Sequence, residues 1–169
     1  CSDVDECALD TDDCDTDPLA ACGNTVGSFT CACPLGSGGT AHGSAGCDGP
    51  RFTDLGNRTV RDTTTGLIWQ QDFSALGLGQ MASRTYCANL ALAGGGWRLP
   101  TRDELLSIVD TRSAPPAIDL TFFPGTPSAG FWSTSPFAGS PSEGWSVNFT
   151  MGIAYSIVVV NLDKARCVR

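Results

Sequence analysis

The chain has 169 residues, enough for one ordinary domain and a small module beside it. Its net charge of −8 excludes the basic stripe that binding to nucleic-acid phosphates requires. No apolar run approaches the roughly 20 residues of a membrane helix, the longest being the strand-like "IVVV" near the C-terminus.

Charge and cysteine divide the chain at "CDGPRF". Residues 1–50 hold nine acids and no Lys or Arg, whereas 51–169 hold nine acids and ten bases. Cys1, Cys7, Cys14, Cys22, Cys31, Cys33 and Cys47 crowd the first part, and Cys87 and Cys167 stand alone in the second. We therefore expect two domains, 1–48 and 49–169. Cysteine at this density belongs to an oxidising compartment, so the expected setting is secreted or extracellular. The chain opens on Cys1 without a starting Met, which fits a secretion signal that is removed or lies outside this sequence.

In chain order, the first segment cannot build a core. Between Cys7 and Cys47 the gaps of six, seven, eight, one and thirteen residues are filled largely with Asp, Gly, Ala, Ser and Thr. Disulfides, worth about 2 to 5 kcal/mol each, must supply what burial does not. Zinc is the competing use of clustered cysteines, but the spacings lack paired C-x2-C knuckles. The acids of "CSDVDEC" repel one another against a fixed backbone unless a cation sits among them. Calcium, which takes about six to eight oxygens in a flexible shell, fits that need. An acidic disulfide knot without metal is the plainer alternative. "CGNTVGSFTC" adds oxygen donors, and its Gly27 suits a tight turn.

The runs "DVDEC" and "CGNTVGSFTCAC" resemble a calcium-binding EGF-like module. The resemblance implies disulfides Cys7–Cys22, Cys14–Cys31 and Cys33–Cys47. It also implies a Ca2+ site formed by the side chains of Asp3, Glu6 and Asn24 and the backbone carbonyls of Val4, Thr25 and Ser28. Phe29 matches the aromatic that packs on a neighbouring module in that family. Cys1 admits three readings: the tail of a preceding module, an interchain bridge, or a lipid-bearing N-terminal cysteine.

After Pro50, "RFTDLG", "TVRD" and "GLIWQ" read as short strands separated by turns. A helix is predicted near 79–92, with Ala82, Tyr86, Leu90 and Ala93 on one apolar stripe. A second begins at Thr101, which with Glu104 forms a capping box after Pro100, and Leu105, Leu106, Ile108 and Val109 face the core. Residues 111–144 are rich in Pro, Gly and Ser with aromatics among them, the kind of irregular stretch that carries function. Strands return where Trp145, Val147 and Phe149 alternate; "YSIVVVN" reads as a buried strand, and "KARCVR" sets Cys167 opposite Lys164 and Arg166. Cys87 and Cys167, the only cysteines of this part, are expected to pair. The sum is an α+β domain.

"RFTDLGNRTVRDTTTGLIWQ", "YCANLALAGGGWRLPTRDELLSIVD", "FWSTS", "GWSVNF" and "RCVR" together are similar to the Lcl C-terminal domain family of bacterial collagen-like adhesins. That resemblance implies a C-type-lectin-like fold, a bacterial surface setting and adhesion to sulfated polysaccharides. The domain's charge of only +1 departs from what a sulfated ligand asks for.

No catalytic constellation can be assembled, so the chain is expected not to be an enzyme. His42 is a lone histidine in a Gly-Ser-rich loop, and Asp103 and Glu104 serve a helix terminus. The EPN or QPD and WND triplets of calcium-dependent sugar binding are missing from the sequence. Phe131, Trp132, Phe137 and Trp145 are the candidate ligand-binding residues, against core packing as the plainer reading. Arg58, Arg61, Arg84, Arg98, Arg102, Arg112, Lys164, Arg166 and Arg169 could form one anion site or scatter into salt bridges. The sequence thus favours a binding protein for a glycan or protein ligand. The alternative is a structural filament or stalk subunit that self-assembles through calcium, Cys1 and aromatic loops, and a third is a diversified ligand-binding surface on the C-terminal strands.

Overall fold

A computed structural model of the chain describes residues 6–9, 21–26, 28–32, 37–39, 47–113 and 115–169. They fall into two compact units, Cys1–Phe52 with Thr63–Thr65, and Thr53–Asp62 with Gly66–Arg169.

In the first unit, a four-residue helix α1 (Glu6–Leu9) carries Cys7, too short for any periodicity to announce it. Cys7 bridges to Cys22, with Cα atoms 5.7 Å apart, on β1 (Ala21–Thr25). β1 pairs antiparallel with β2 (Ser28–Ala32), setting Cys22 opposite Cys31, Asn24 opposite Phe29 and Thr25 opposite Ser28. A second ladder joins β3 (Ser37–Gly39) to β4 (Cys47–Pro50). Cys14 and Cys33, and with them the remaining two implied disulfides, lie outside the described residues, as do Gly27 and Cys1.

The second unit starts within β5 (Phe52–Asp54), which forms a sheet with β6 (Thr59–Asp62) and β7 (Ile68–Gln70) in the order β5-β6-β7. α2 (Gln80–Ala88) and α3 (Arg102–Ser107) follow, and then a sheet ordered β10-β9-β8 from β8 (Gly130–Pro136), β9 (Glu143–Asn148) and β10 (Ile153–Val158). Six strands and two short helices make the described part of this unit mostly β, where the sequence suggests an α+β balance.

The two sheets are tied together by the last seven residues. Asp163 bridges to Leu78, Lys164 pairs in parallel with Phe131 on the free side of β8, and Val168 bridges to both Trp69 on β7 and Arg98. Ala165, Arg166, Cys167 and Val168 are all fully buried. The expected alternation of "KARCVR" therefore fails, because a segment covered on both faces has no solvent side to alternate with. Cys167 bonds Cys87 on α2, and both sulfurs sit in a core of Trp97, Leu99, Trp132 and Ala165.

α2 is shorter than its predicted span, and its buried residues are Gln80, Ser83 and Cys87 rather than the Ala82 stripe. Ala82 is exposed, while Tyr86 and Leu90 are half-buried. The disulfide and a hydrogen bond from Gln80 Nε2 to the Ser133 carbonyl (2.9 Å) decide which face turns inward, overriding a weak apolar pattern. Beyond α2 the chain passes through a 3-10 turn (Leu92–Gly94) and the positive-φ run Gly94–Gly96, conformations a side chain would resist. That turn returns Trp97 to the core, where its Nε1 donates to the Leu92 carbonyl at 2.7 Å.

α3 carries the expected capping box. Thr101 Oγ1 accepts from the Glu104 N–H (3.2 Å), and Glu104 Oε2 accepts from the Thr101 N–H (2.7 Å). Arg98 grips the same carboxylate with both terminal nitrogens, at 2.8 and 2.6 Å. That fork, with the cap behind it, holds the Glu104 carboxyl below the usual carboxylate range. Leu105 and Ile108 are buried, and Leu106 and Val109 half-buried.

"YSIVVVN" is a further correction. β10 is the edge of its sheet, Ile153 and Val158 are exposed, and Val160 lies beyond the strand's end. An apolar run alone does not distinguish a central strand from an edge, because burial depends on what the rest of the chain lays beside it.

Candidate functional site

Four aromatics are candidates from sequence, and the fold separates them into two pairs. Phe131 and Trp132 are fully buried, so neither can meet a ligand. Phe131 packs edge-on against Phe73 and Phe149, with centroids 5.9 and 5.1 Å away, and Trp132 Nε1 donates to the Leu78 carbonyl at 2.7 Å. These two are removed from the candidate site because their successive positions on β8 are both covered, one by the Phe cluster and one by the disulfide core.

Phe137 and Trp145 are half-buried and touch each other edge to face, centroids 5.3 Å apart. They meet because Phe137 follows the end of β8 and Trp145 lies in the neighbouring strand β9, where Pro136 pairs with Gly144. The Arg102 guanidinium lies over the Trp145 ring, 5.0 Å from its centroid. Its Nε also donates to Asp103 Oδ1 at 2.8 Å, and Asp103 is exposed. Arg102 is held by its own backbone N–H, which donates to Ser135 Oγ (3.0 Å) on β8. From α2, Arg84 Nη2 donates to the Thr134 carbonyl at 2.7 Å. The end of β8 thus gathers two guanidinium groups, one accessible carboxylate, two partly open rings and the hydroxyls of Ser140 and Ser142, 2.9 Å apart. Apolar ring surface beside bidentate donors and acceptors suits a ligand with both CH faces and hydroxyl groups.

Six of the other candidate cations are engaged elsewhere. Arg58 pairs with Asp72, Arg98 with Glu104 and Arg112 with Asp110. Lys164 reaches the Ala75 carbonyl (2.7 Å), and Arg169 lies over Trp97. Arg166 is wholly buried between the rings of Phe123 and Phe131, at 4.8 and 5.3 Å. Burial pushes its guanidinium down to about 9, against the opposing pull of Asp72, so it stays charged at neutral pH. A single anion site from all nine residues is therefore not formed.

The calcium donors expected in the first unit are described only in part. Asp3 and Val4 lie outside the described residues, and of Glu6 only its place in α1 is described. Asn24, Thr25 and Ser28 gather at one end of the β1–β2 hairpin, with Thr25 Oγ1 donating to the Ser28 carbonyl at 2.8 Å. Among the described residues no group of three or more His, Cys, Asp or Glu side chains is placed to hold a metal. The hairpin end offers amide, hydroxyl and carbonyl oxygens and no softer donor, a set that fits calcium and not zinc.

The sequence names Arg84 and Arg102 only among nine cations that could share one anion site or scatter into salt bridges, and it misses that these two meet at the end of β8. Only the "FWSTS" segment, which runs past both helices, could have signalled that two cations meet one strand there.

Among known proteins, the family model described as the Lcl C-terminal domain matches residues 58–169, and that for the calcium-binding EGF domain matches residues 3–47. No curated protein matches the chain.

Proposed function

This chain belongs to the Lcl C-terminal domain family and carries a calcium-binding EGF match ahead of that domain, and from this we propose an extracellular adhesion protein that recognises a glycan. The two domain types are those of an extracellular protein that works by domain-mediated binding, and no described helix is long and apolar enough to cross a membrane. The finer reading is a C-type-lectin-like second unit on a bacterial surface, binding saccharide at the end of β8 without turning it over. Its main support is the Arg102, Trp145 and Phe137 contact: a ring for the apolar face of a sugar, with a guanidinium and the Asp103 carboxylate for its hydroxyl, carboxylate or sulfate groups.

Three of the four tryptophans, Trp69, Trp97 and Trp132, are buried, so a ligand at this site would change the emission of Trp145 alone. Titration with a panel of neutral, uronic and sulfated polysaccharides is expected to shift that emission for at least one member. Trp145→Ala is expected to weaken the same interaction roughly tenfold or more, in line with loss of a stacked ring and its cation partner. A flat response across the panel removes the glycan reading.

In the same proposal Ca2+ would be held at the front of the first unit by Asp3, Glu6, Asn24 and the carbonyls of Val4, Thr25 and Ser28, stiffening that end rather than signalling. At an extracellular affinity of about 0.1 to 1 mM, tenfold excess calcium adds only about 1.4 kcal/mol. Residues 1–50 contain no Lys or Arg, so the suitable probe is a protease that cuts after acidic residues. Calcium is expected to slow cleavage between Asp3 and Asp17, and EDTA to restore it. Equal rates in both would argue against the site.

A further inference from the structure

Successive side chains of β9 alternate between its two faces. A Cβ on Gly144 would collide with the Gln80 side chain, so that face of β9 belongs to α2, the helix that carries Arg84. Trp145 points the other way, toward α3, where the Arg102 guanidinium lies over its ring. Glu143 stands two residues before Trp145, about 7 Å along the strand, in a register with β10 that runs without a shift. Both therefore share one face. Phe137 is tied to the same place, its N–H donating to the Glu143 carbonyl at 3.3 Å.

Around the Trp145 ring stand one guanidinium and two carboxylates. Arg102 Nε is committed to Asp103 Oδ1, and the Asp103 side chain is 78% exposed. Glu143 makes no ion pair among the described residues. The two terminal nitrogens of Arg102 and the second oxygen of Asp103 make no hydrogen bond among the described residues either, which leaves donors and an acceptor side by side. An ionised carboxylate only accepts hydrogen bonds, and so does a sulfate, so a sulfated or uronic chain would leave Asp103 unmatched and be repelled by it. A hydroxyl both donates and accepts. Two neighbouring hydroxyls can therefore take an N–H from Arg102 and give one to Asp103 at once.

We propose, on the saccharide reading of this site, that it selects neutral, hydroxyl-rich saccharides and disfavours sulfated and uronic ones. The half-buried rings of Trp145 and Phe137 meet the CH groups, Arg102 with Asp103 reads a vicinal diol, and Glu143 adds a second charge against anions. Cations elsewhere do not offset this, since Arg58, Arg98 and Arg112 each have a carboxylate of their own and Arg166 is buried.

The emission of Trp145 in the full chain reads the preference when dextran, mannan and galactan are each titrated beside their sulfated derivatives. The neutral member of a pair is expected to bind at least about fivefold more tightly, the effect of one unit charge at about 4 Å in water. Its binding is expected to hold between about 0.01 and 1 M salt, across which the Debye length falls from about 30 to 3 Å. Asp103→Asn is expected to move the preference about fivefold toward the sulfated member at low salt, with an unchanged circular dichroism spectrum. If loss of an acid from the first turn of α3 unfolds that variant, Glu143→Gln is expected to move the preference in the same direction. A sulfated member that binds as tightly as its neutral partner, or more tightly, overturns this inference and leaves the glycan reading standing. A preference that neither variant moves overturns it too, by locating the discrimination elsewhere. No response to any of the polymers overturns both.

Discussion

Replacing Cys87 and Cys167 together by alanine is expected to lower the unfolding free energy of the second unit by about 4 kcal/mol. The bridge closes a loop with a sequence separation of 80 residues, for which chain entropy gives about 4.5 kcal/mol. Both residues are fully buried, so the two small voids left by alanine add to the loss rather than offset it. Removing both avoids a lone thiol that could pair with the cysteines of the first unit. Urea unfolding followed by tryptophan emission isolates the effect, because all four tryptophans lie in the second unit. The denaturant dependence should steepen as well, since an uncrosslinked unfolded chain exposes more surface. A loss below about 1 kcal/mol would show that the closing segment is held by packing alone.

Arg166→Ala is expected to cost a comparable amount, about 4 kcal/mol, although among the described residues no carboxylate is bonded to this side chain. Its Nε donates to the Asp72 carbonyl and one Nη2 to the Gln71 carbonyl, both at 3.3 Å, and the same Nη2 donates to Thr126 Oγ1 at 2.7 Å. Alanine would orphan one buried acceptor, at about 1 to 3 kcal/mol, and two part-buried carbonyls at less, and would empty the space between Phe123 and Phe131. Arg166→Met fills that space and is expected to recover about half of the loss, leaving the unsatisfied carbonyls as the remainder. Equal costs for the two variants would mean that hydrogen bonds, not ring packing, fix this residue; no cost for methionine would mean the reverse. Equilibrium unfolding of the two variants side by side decides it.

Both predictions concern the closing "RCVR", and they explain why the motifs that carry the family likeness say little about ligand. In "WRLPT" and the Glu-Leu that follows, Trp97 and Leu99 fill the core, Arg98 clamps Glu104, the Pro100 carbonyl accepts from the Thr134 N–H, Thr101 caps α3 and Leu105 packs beneath it. In "WST", Trp132 is core and Ser133 Oγ donates to the Trp145 carbonyl at 2.7 Å. These residues build a framework; of the open groups, Arg102 and Trp145 lie within the same family motifs and only Phe137 stands outside them.

The chain order of charges and cysteines was enough to announce two different kinds of segment, because composition decides whether burial or crosslinking can hold a chain. The α3 cap was equally legible, since a capping box satisfies N–H groups within four residues and depends on nothing distant. The depth of Phe131, Trp132 and Arg166, the inward face of α2 and the edge position of β10 were decided by the fold. Each depends on residues far along the chain: the last seven residues lie between β7 and β8, and once they cover both sides of a neighbour, local periodicity no longer states which side faces water.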